Sequence, residues 1–138
     1  MSRLKMRLLY AATFVVLLGI EICIALFVHD SFVRPYIGDV LVVAVVYSAA
    51  RIVFPDRFPL MSAAVFLFAA AVELVQLTKL SELFPEGGII ATVLGSTFDP
   101  KDLLCYAIGC IFCALWDVFF IRTSAVTEIK DFEQRREP

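Results

Sequence analysis

The chain has a single histidine, His29, and no surplus of basic residues: 12 Lys and Arg stand against 14 Asp and Glu, for a net charge of −2. That balance excludes a nucleic-acid partner, because no basic face is available to neutralise phosphates. No Ser–His–Asp order, phosphate-binding loop or zinc signature such as H-E-x-x-H appears. The four cysteines include one Cys-x-x-Cys, Cys110 to Cys113, but no second pair or nearby histidine completes a site. They and Cys23 and Cys105 all fall in apolar runs, where cysteine serves as a small buried apolar residue. No cofactor and no metal is called for.

What the chain has in abundance is apolar sequence. Of its 138 residues 61% are hydrophobic, with a mean hydropathy of +0.88, where soluble domains run at roughly 45–50% apolar. The excess sits in four runs, at 8–28, 40–54, 60–80 and 103–121. Each approaches or reaches the roughly 20 residues that a helix needs to cross a bilayer. The fold expected is therefore all-α, a four-helix transmembrane bundle over residues 1–127, followed by a charged cytosolic tail at 128–138. A signal peptide is a poorer account of the N-terminus. The first run is longer than the 7–15 residues of such a segment, holds Glu21, and ends without a small-x-small cleavage site.

Basic residues orient the bundle, since Lys and Arg accumulate on the cytoplasmic side. With four spans both termini share a side, which carries Arg3, Lys5, Arg7, Arg51, Arg57, Arg122, Lys130, Arg135 and Arg136. The other side carries only Arg34, Lys79 and Lys101. Both termini are expected in the cytoplasm, and the loops 29–38 and 81–98 outside. The turn Pro55 to Pro59 is too rich in proline to continue a helix. Asp39 follows Gly38 and is placed to N-cap the second helix. Gly87 and Gly88 break the longest loop, and the apolar stretch 89–94 is expected to lie in the interface or dip into the protein.

Charge inside a membrane is expensive and usually marks a site. Glu21 stands 13 residues after Leu8, and Glu73 stands 13 after Leu60. On parallel spans both lie about 20 Å from the inner end, so they are expected to face each other. Gln76 shares the face of Glu73 at i+3. The alternative is that each acid is protonated or paired, with a hydroxyl or Lys79, and only fixes helix packing.

A second group is Asp99, Pro100 and Asp102, where capping alone is a complete account: Asp at N-cap, Pro at N1, an acid in the first turn. Yet Asp102, Tyr106, Gly109, Cys113 and Trp116 continue as one helical stripe, which suggests a ligand pocket shared with Glu21 and Glu73. His29 beside Asp30 is a candidate pH-sensitive or metal-binding spot. Arg34 is a natural partner for nearby acids or for a lipid phosphate.

At these residues a family likeness emerges. The run EICIALFVHDSFVRPYIGDVLVV over 21–43, with Glu73-x-x-Gln76 and Thr97-Phe98-Asp99-x-x-Asp102, resembles a bacterial membrane family catalogued as domain of unknown function 2809. More distantly, Glu73-x-x-Gln76 with Asp99-x-x-Asp102, Tyr106 and Gly109 is similar to the VanZ-like family, small multi-span proteins of which one is associated with teicoplanin resistance. That family usually has Asn where Tyr106 stands. The resemblance implies a bacterial inner-membrane, envelope-associated role, with Glu73, Gln76, Asp99 and Asp102 as the shared polar set.

Together these features suggest a multi-pass protein, possible as a homo-oligomer, whose outward pocket binds an envelope lipid, a lipid-linked precursor or a cation. Its ligands would be Glu21, Arg34, Asp39, Glu73, Gln76, Asp99, Asp102 and Tyr106. The alternatives are an enzyme acting on a lipid-linked substrate, with one acid as base and another as acid, or a subunit of a proton-coupled transporter. Reporter fusions test the orientation: those at Asp30 and Glu86 should read external, and those at Asp56 and Pro138 cytoplasmic. A cytoplasmic signal at Glu86 would overturn it.

Overall fold

The structure, a computed structural model, describes residues 2–56, 58–78, 83, 88 and 98–136. Four long helices account for nearly all of them: α1 (Arg3–Phe27), α2 (Gly38–Val53), α3 (Phe58–Leu77) and α4 (Pro100–Gln134), with no strand among the described residues. All four are long and apolar enough to cross a membrane, with α2 counted together with the turn that precedes it and α4 as far as Phe120. The expected all-α four-helix bundle is what forms, and it is a multi-pass membrane architecture.

Leu, Val, Ala, Ile and Phe run through each helix with Gly and Pro kept to ends and turns, apart from Gly19 and Gly109. Hydroxyls inside the apolar segments bond back to the preceding turn: Thr13 to the Leu9 carbonyl at 3.0 Å and Ser48 to the Ala44 carbonyl at 2.8 Å. This satisfies polar groups where lipid offers no partner. The buried core is narrow, formed by Tyr10, Val43, Tyr47, Met61, Val65 and Cys110. Large apolar side chains such as Val15, Leu67, Phe112 and Phe119 lie exposed instead. That inversion suits a molecule whose surroundings are hydrocarbon, because lipid tails are as apolar as leucine.

Helix ends depart from the sequence expectation in three places. Ser2 caps α1, its hydroxyl accepting from Lys5 N at 3.4 Å, so the helix starts well before the apolar run. The first loop is shorter than expected, because Val33–Ile37 forms one π-helical turn that leads directly into α2. Asp39 therefore does not cap α2. The chain is already helical before it, and Asp39 lies in the first turn with its side chain turned to other work. At the other terminus α4 continues through Gln134, so the residues expected as a charged tail begin as helix. The helix is about 52 Å long, far beyond the roughly 30 Å of a hydrocarbon core. Lys79 and most of the loop 81–98, with Gly87 and the stretch 89–94, lie outside the described residues.

Helix α2 is the hub. It packs on α1, α3 and α4, while α3 also packs on α4. Chain direction makes α2 and α4 parallel to each other and antiparallel to α1 and α3. One end of the bundle is identified by Arg3, whose Nε lies 3.1 Å from Asp56 in the α2–α3 turn. This exposed pair adds little stability, but it shows that the start of α1 and that turn share an end, here called the terminal end. The far end carries the π-helical turn and the start of α4.

The crossing of α4 over α2 is tight. A Cβ at Gly109 would meet the Val40 carbonyl oxygen at 3.1 Å and Val43 at 3.3 Å, whereas one at Gly19 would meet nothing within 4 Å. Two alanine substitutions should therefore diverge. Gly19→Ala should raise the melting temperature in detergent, by the roughly 0.5–1 kcal/mol that Ala gains over Gly in a helix. Gly109→Ala should lose that gain to the clash, and Gly109→Val should melt lower than wild type, as overpacking costs about 1–3 kcal/mol. A Gly109→Val protein as stable as wild type would show that the crossing is loose.

Candidate functional site

Acids from all four helices gather at the far end. Glu73 of α3 is only 1% exposed and is held from two directions. Its Oε1 accepts from the Asp99 backbone N–H at 3.1 Å, and its Oε2 from the Tyr106 hydroxyl at 3.4 Å. Asp99 is also the N-cap of α4, its Oδ1 accepting from Lys101 N at 2.9 Å, with Pro100 in the first turn. One residue thus starts α4 and ties that start to α3. The capping expectation for Asp99 is met, and it is the backbone N–H, not the carboxylate, that reaches Glu73.

Asp39 and Asp102 meet across the parallel α2–α4 pair, their carboxyl groups close enough to act on each other directly. Ionised carboxylates only accept, so two of them side by side repel unless a donor or a proton comes between them. Asp39 also lies within electrostatic reach of Glu73 and Glu21. The expectation that Glu21 and Glu73 face each other is replaced by a different arrangement. α1 packs on α2 and α3 packs on α2 and α4, so the two glutamates flank a common neighbour, Asp39. Glu21 reaches the head of α2, where its Oε1 would be 3.5 Å from a Cβ on Gly38. Its other oxygen, Oε2, is buried without a hydrogen-bond partner.

The remaining candidates divide. Gln76 is half-buried one turn after Glu73. Tyr106 belongs to the cluster through its bond to Glu73. Arg34 does not join the acids and is exposed on the π-helical turn. His29 is exposed too, and Asp30 beside it turns to its own backbone, accepting from Phe32 N at 2.9 Å. Among the described residues no three of His, Cys, Asp and Glu come together as metal ligands would.

A second polar cluster, absent from the sequence expectation, occupies the terminal end. Asp117 of α4 and Arg51 of α2 are each 1% exposed. Arg51 Nε lies 3.2 Å from Asp117 Oδ2, and the same oxygen accepts from the Tyr47 hydroxyl at 2.5 Å. Arg51 also donates to the Pro55 carbonyl at 2.6 Å, a last-turn cation on the end of α2, and stacks over the Tyr10 ring at 5.1 Å. The sequence did carry a signal for this: Asp117 interrupts the run 103–121, as Glu21 and Glu73 interrupt theirs. Arg51 must also be taken from the basic residues that orient the chain, since it is buried in the bundle; nine against three becomes eight against three. The stripe on α4 shifts accordingly. Asp102, Tyr106, Gly109 and Cys113 face the bundle, but Trp116 is 56% exposed and Asp117 takes the inward place. Of the cysteines, Cys105 and Cys110 are buried as expected, while Cys23 is exposed.

Residues 28–110 match the model of the family described as protein of unknown function (DUF2809), and the chain belongs to that family. No curated protein and no solved structure matches the chain. The matched region takes in Asp39, Glu73, Asp99, Asp102 and Tyr106, and stops short of Asp117.

Asparagine substitutions separate the cap from the carboxyl pair. Asp99→Asn should keep the wild-type melting temperature in detergent, since Asn caps as well as Asp, while Asp99→Ala should lose about 1 kcal/mol. Asp102→Asn places an N–H donor beside Asp39, so it should also melt near wild type. Asp102→Ala leaves Asp39 unpaired and should melt lower. Equal melting of the Asn and Ala variants at 102 would show that the contact contributes nothing.

Proposed function

We propose that the far-end cluster binds the polar head of an envelope lipid or lipid-linked precursor, through donors that the head presents to Glu21, Asp39, Glu73 and Asp102. The observation that carries this reading is Glu21 Oε2, buried with no hydrogen-bond partner beside acids that are otherwise engaged. A buried acceptor left unmade costs about 1–3 kcal/mol, and a ligand hydroxyl or amine would recover it. The place suits a lipid. The cluster lies toward one end of helices long and apolar enough to cross a membrane. The outer face follows from the eight-to-three distribution of basic residues that remains. The likeness of Glu73-x-x-Gln76 and Asp99-x-x-Asp102 to VanZ-like proteins points toward the envelope as well. Several acids spread over four helices fit a head with several donors better than they fit one bare cation.

The binding reading is tested by mass spectrometry of lipids that remain with the full chain after gentle detergent purification. Wild type should retain one lipid class enriched over the bulk extract. Glu21→Gln and Asp39→Asn should lose most of that enrichment while eluting as wild type does in size-exclusion chromatography. No enriched class with wild type, or equal enrichment with both variants, overturns the reading.

A further inference from the structure

The Arg51–Asp117–Tyr47 group plays no part in headgroup binding, yet it lies on the two helices whose far ends carry Asp39 and Asp102. A buried ion pair is seldom the most stable solution, since well-packed apolar residues of similar volume are often as good or better. What it does supply is one arrangement in place of several. A buried charge moved off its partner costs far more than an apolar side chain moved off its neighbour.

The rest of the α2–α4 contact leaves room for several arrangements. In lipid no hydrophobic force presses helices together, and the crossing rests on small side chains. Cys105, Gly109 and Cys113 follow one another at intervals of four residues, with Cys105 buried and Cys113 half-buried. A slide of α4 by one such interval, about 6 Å, would bring one thiol to the place of Gly109. A small residue would still stand against Val43, so apolar packing separates these registers only weakly.

Asp117 does not tolerate the slide. It stands eight residues beyond Gly109, as Arg51 stands eight beyond Val43. On parallel helices both therefore lie about 12 Å from the crossing. Displaced by a turn, the Asp117 carboxylate would lose Arg51 Nε and the Tyr47 hydroxyl together. Arg51 cannot follow it, because its guanidinium is held from other sides. Nη1 donates to the Pro55 carbonyl at 2.6 Å, Nη2 lies 4.0 Å from Met6 Sδ, and the central carbon stands 5.1 Å from the centre of the Tyr10 ring. The planar fork gives each neighbour its own nitrogen: α4 on Nε, the α2–α3 turn on Nη1 and α1 on Nη2.

We propose that Arg51, Tyr47 and Asp117 are positioning residues that fix the register of α4 on α2, and with it the far-end site. Register matters there because the start of α4 is tied to α3. A displaced helix would carry the Asp99 N–H and the Tyr106 hydroxyl away from Glu73. The group selects one packing and adds little to its stability. This role needs no lipid to be bound and stands apart from the headgroup reading.

The test reads the register as a distance between two nitroxide labels, measured by pulsed electron paramagnetic resonance on the purified full chain in detergent. The labels are attached through Val42→Cys on α2 and Phe119→Cys on α4, both exposed positions. The exposed Cys23 is removed as Cys23→Ser, and that protein alone gives the labelling background. With the polar group intact the labels should show one distance. The charge-free triple variant Arg51→Met, Tyr47→Phe and Asp117→Leu should melt at or above that protein. It should also show a second distance, shifted by up to about 6 Å, and retain less of the enriched lipid. A triple variant that melts well below the parent, or does not elute as it does, overturns the proposal, because the group is then an ordinary stabilising contact. One that melts as the parent does with a single unchanged distance overturns it too, because apolar packing then sets the register. The distance is read without added lipid, so failure of the headgroup reading leaves this test standing.

Discussion

The close crossing of α4 over α2 at Gly109 is the contact on which the rest of the arrangement depends. With no side chain at that point, the helix backbones approach until a Cβ would meet the Val40 carbonyl oxygen. In lipid there is no hydrophobic force to press helices together, and close packing at small residues does that work. Because the two helices run parallel, a single crossing sets partners on both sides of it. Toward the far end Asp39 meets Asp102, and toward the terminal end Tyr47 and Arg51 meet Asp117. Neither polar cluster could form if α4 were held further from α2. The remaining helices complete what this pair begins: α3 brings Glu73 to the start of α4, and α1 brings Glu21 to the start of α2.

Much of this was legible in the sequence. Four apolar runs predicted four helices because length and hydropathy are sufficient signals in a membrane. Acids inside those runs singled out Glu21 and Glu73, because charge within a span is too costly to persist without a partner or a role. Asp99-Pro100 read correctly as a helix start, since capping is local chemistry. What the sequence could not supply was which helix packs on which. Equal depth on parallel spans made Glu21 and Glu73 look like partners, but depth says nothing about helix order around the bundle. With α2 at the hub, the common neighbour is Asp39, which the sequence suggested as a cap.

The missed cluster has a different cause. Arg51 stands next to a proline turn, at the edge of an apolar run, and edge arginines usually reach out to water. Whether such a residue turns in or out depends on its having a partner inside. Asp117 is that partner, on a helix 66 residues later in the chain. The two were each visible as oddities, one acid in a span and one base at its end, but only packing makes them a pair. Trp116 and Asp117 show the same limit on a finer scale. A stripe counted at three and four residues accommodates either, and the contact with Tyr47 decides for Asp117.

The two clusters differ in a way that bears on what each can do. The terminal-end group balances its charge, since Arg51 faces Asp117 and further donors and acceptors surround both. The far-end group has no such balance. Its acids stand together with only a backbone N–H and a tyrosine hydroxyl donating to Glu73, and one oxygen of Glu21 is left over. An unbalanced set of acceptors in a medium of low dielectric must take up protons or cationic and hydroxyl donors from outside, whereas a balanced set can stay as it is. The far end is thus the one where acceptors exceed donors. Closure of the bundle belongs to the terminal end, where they match.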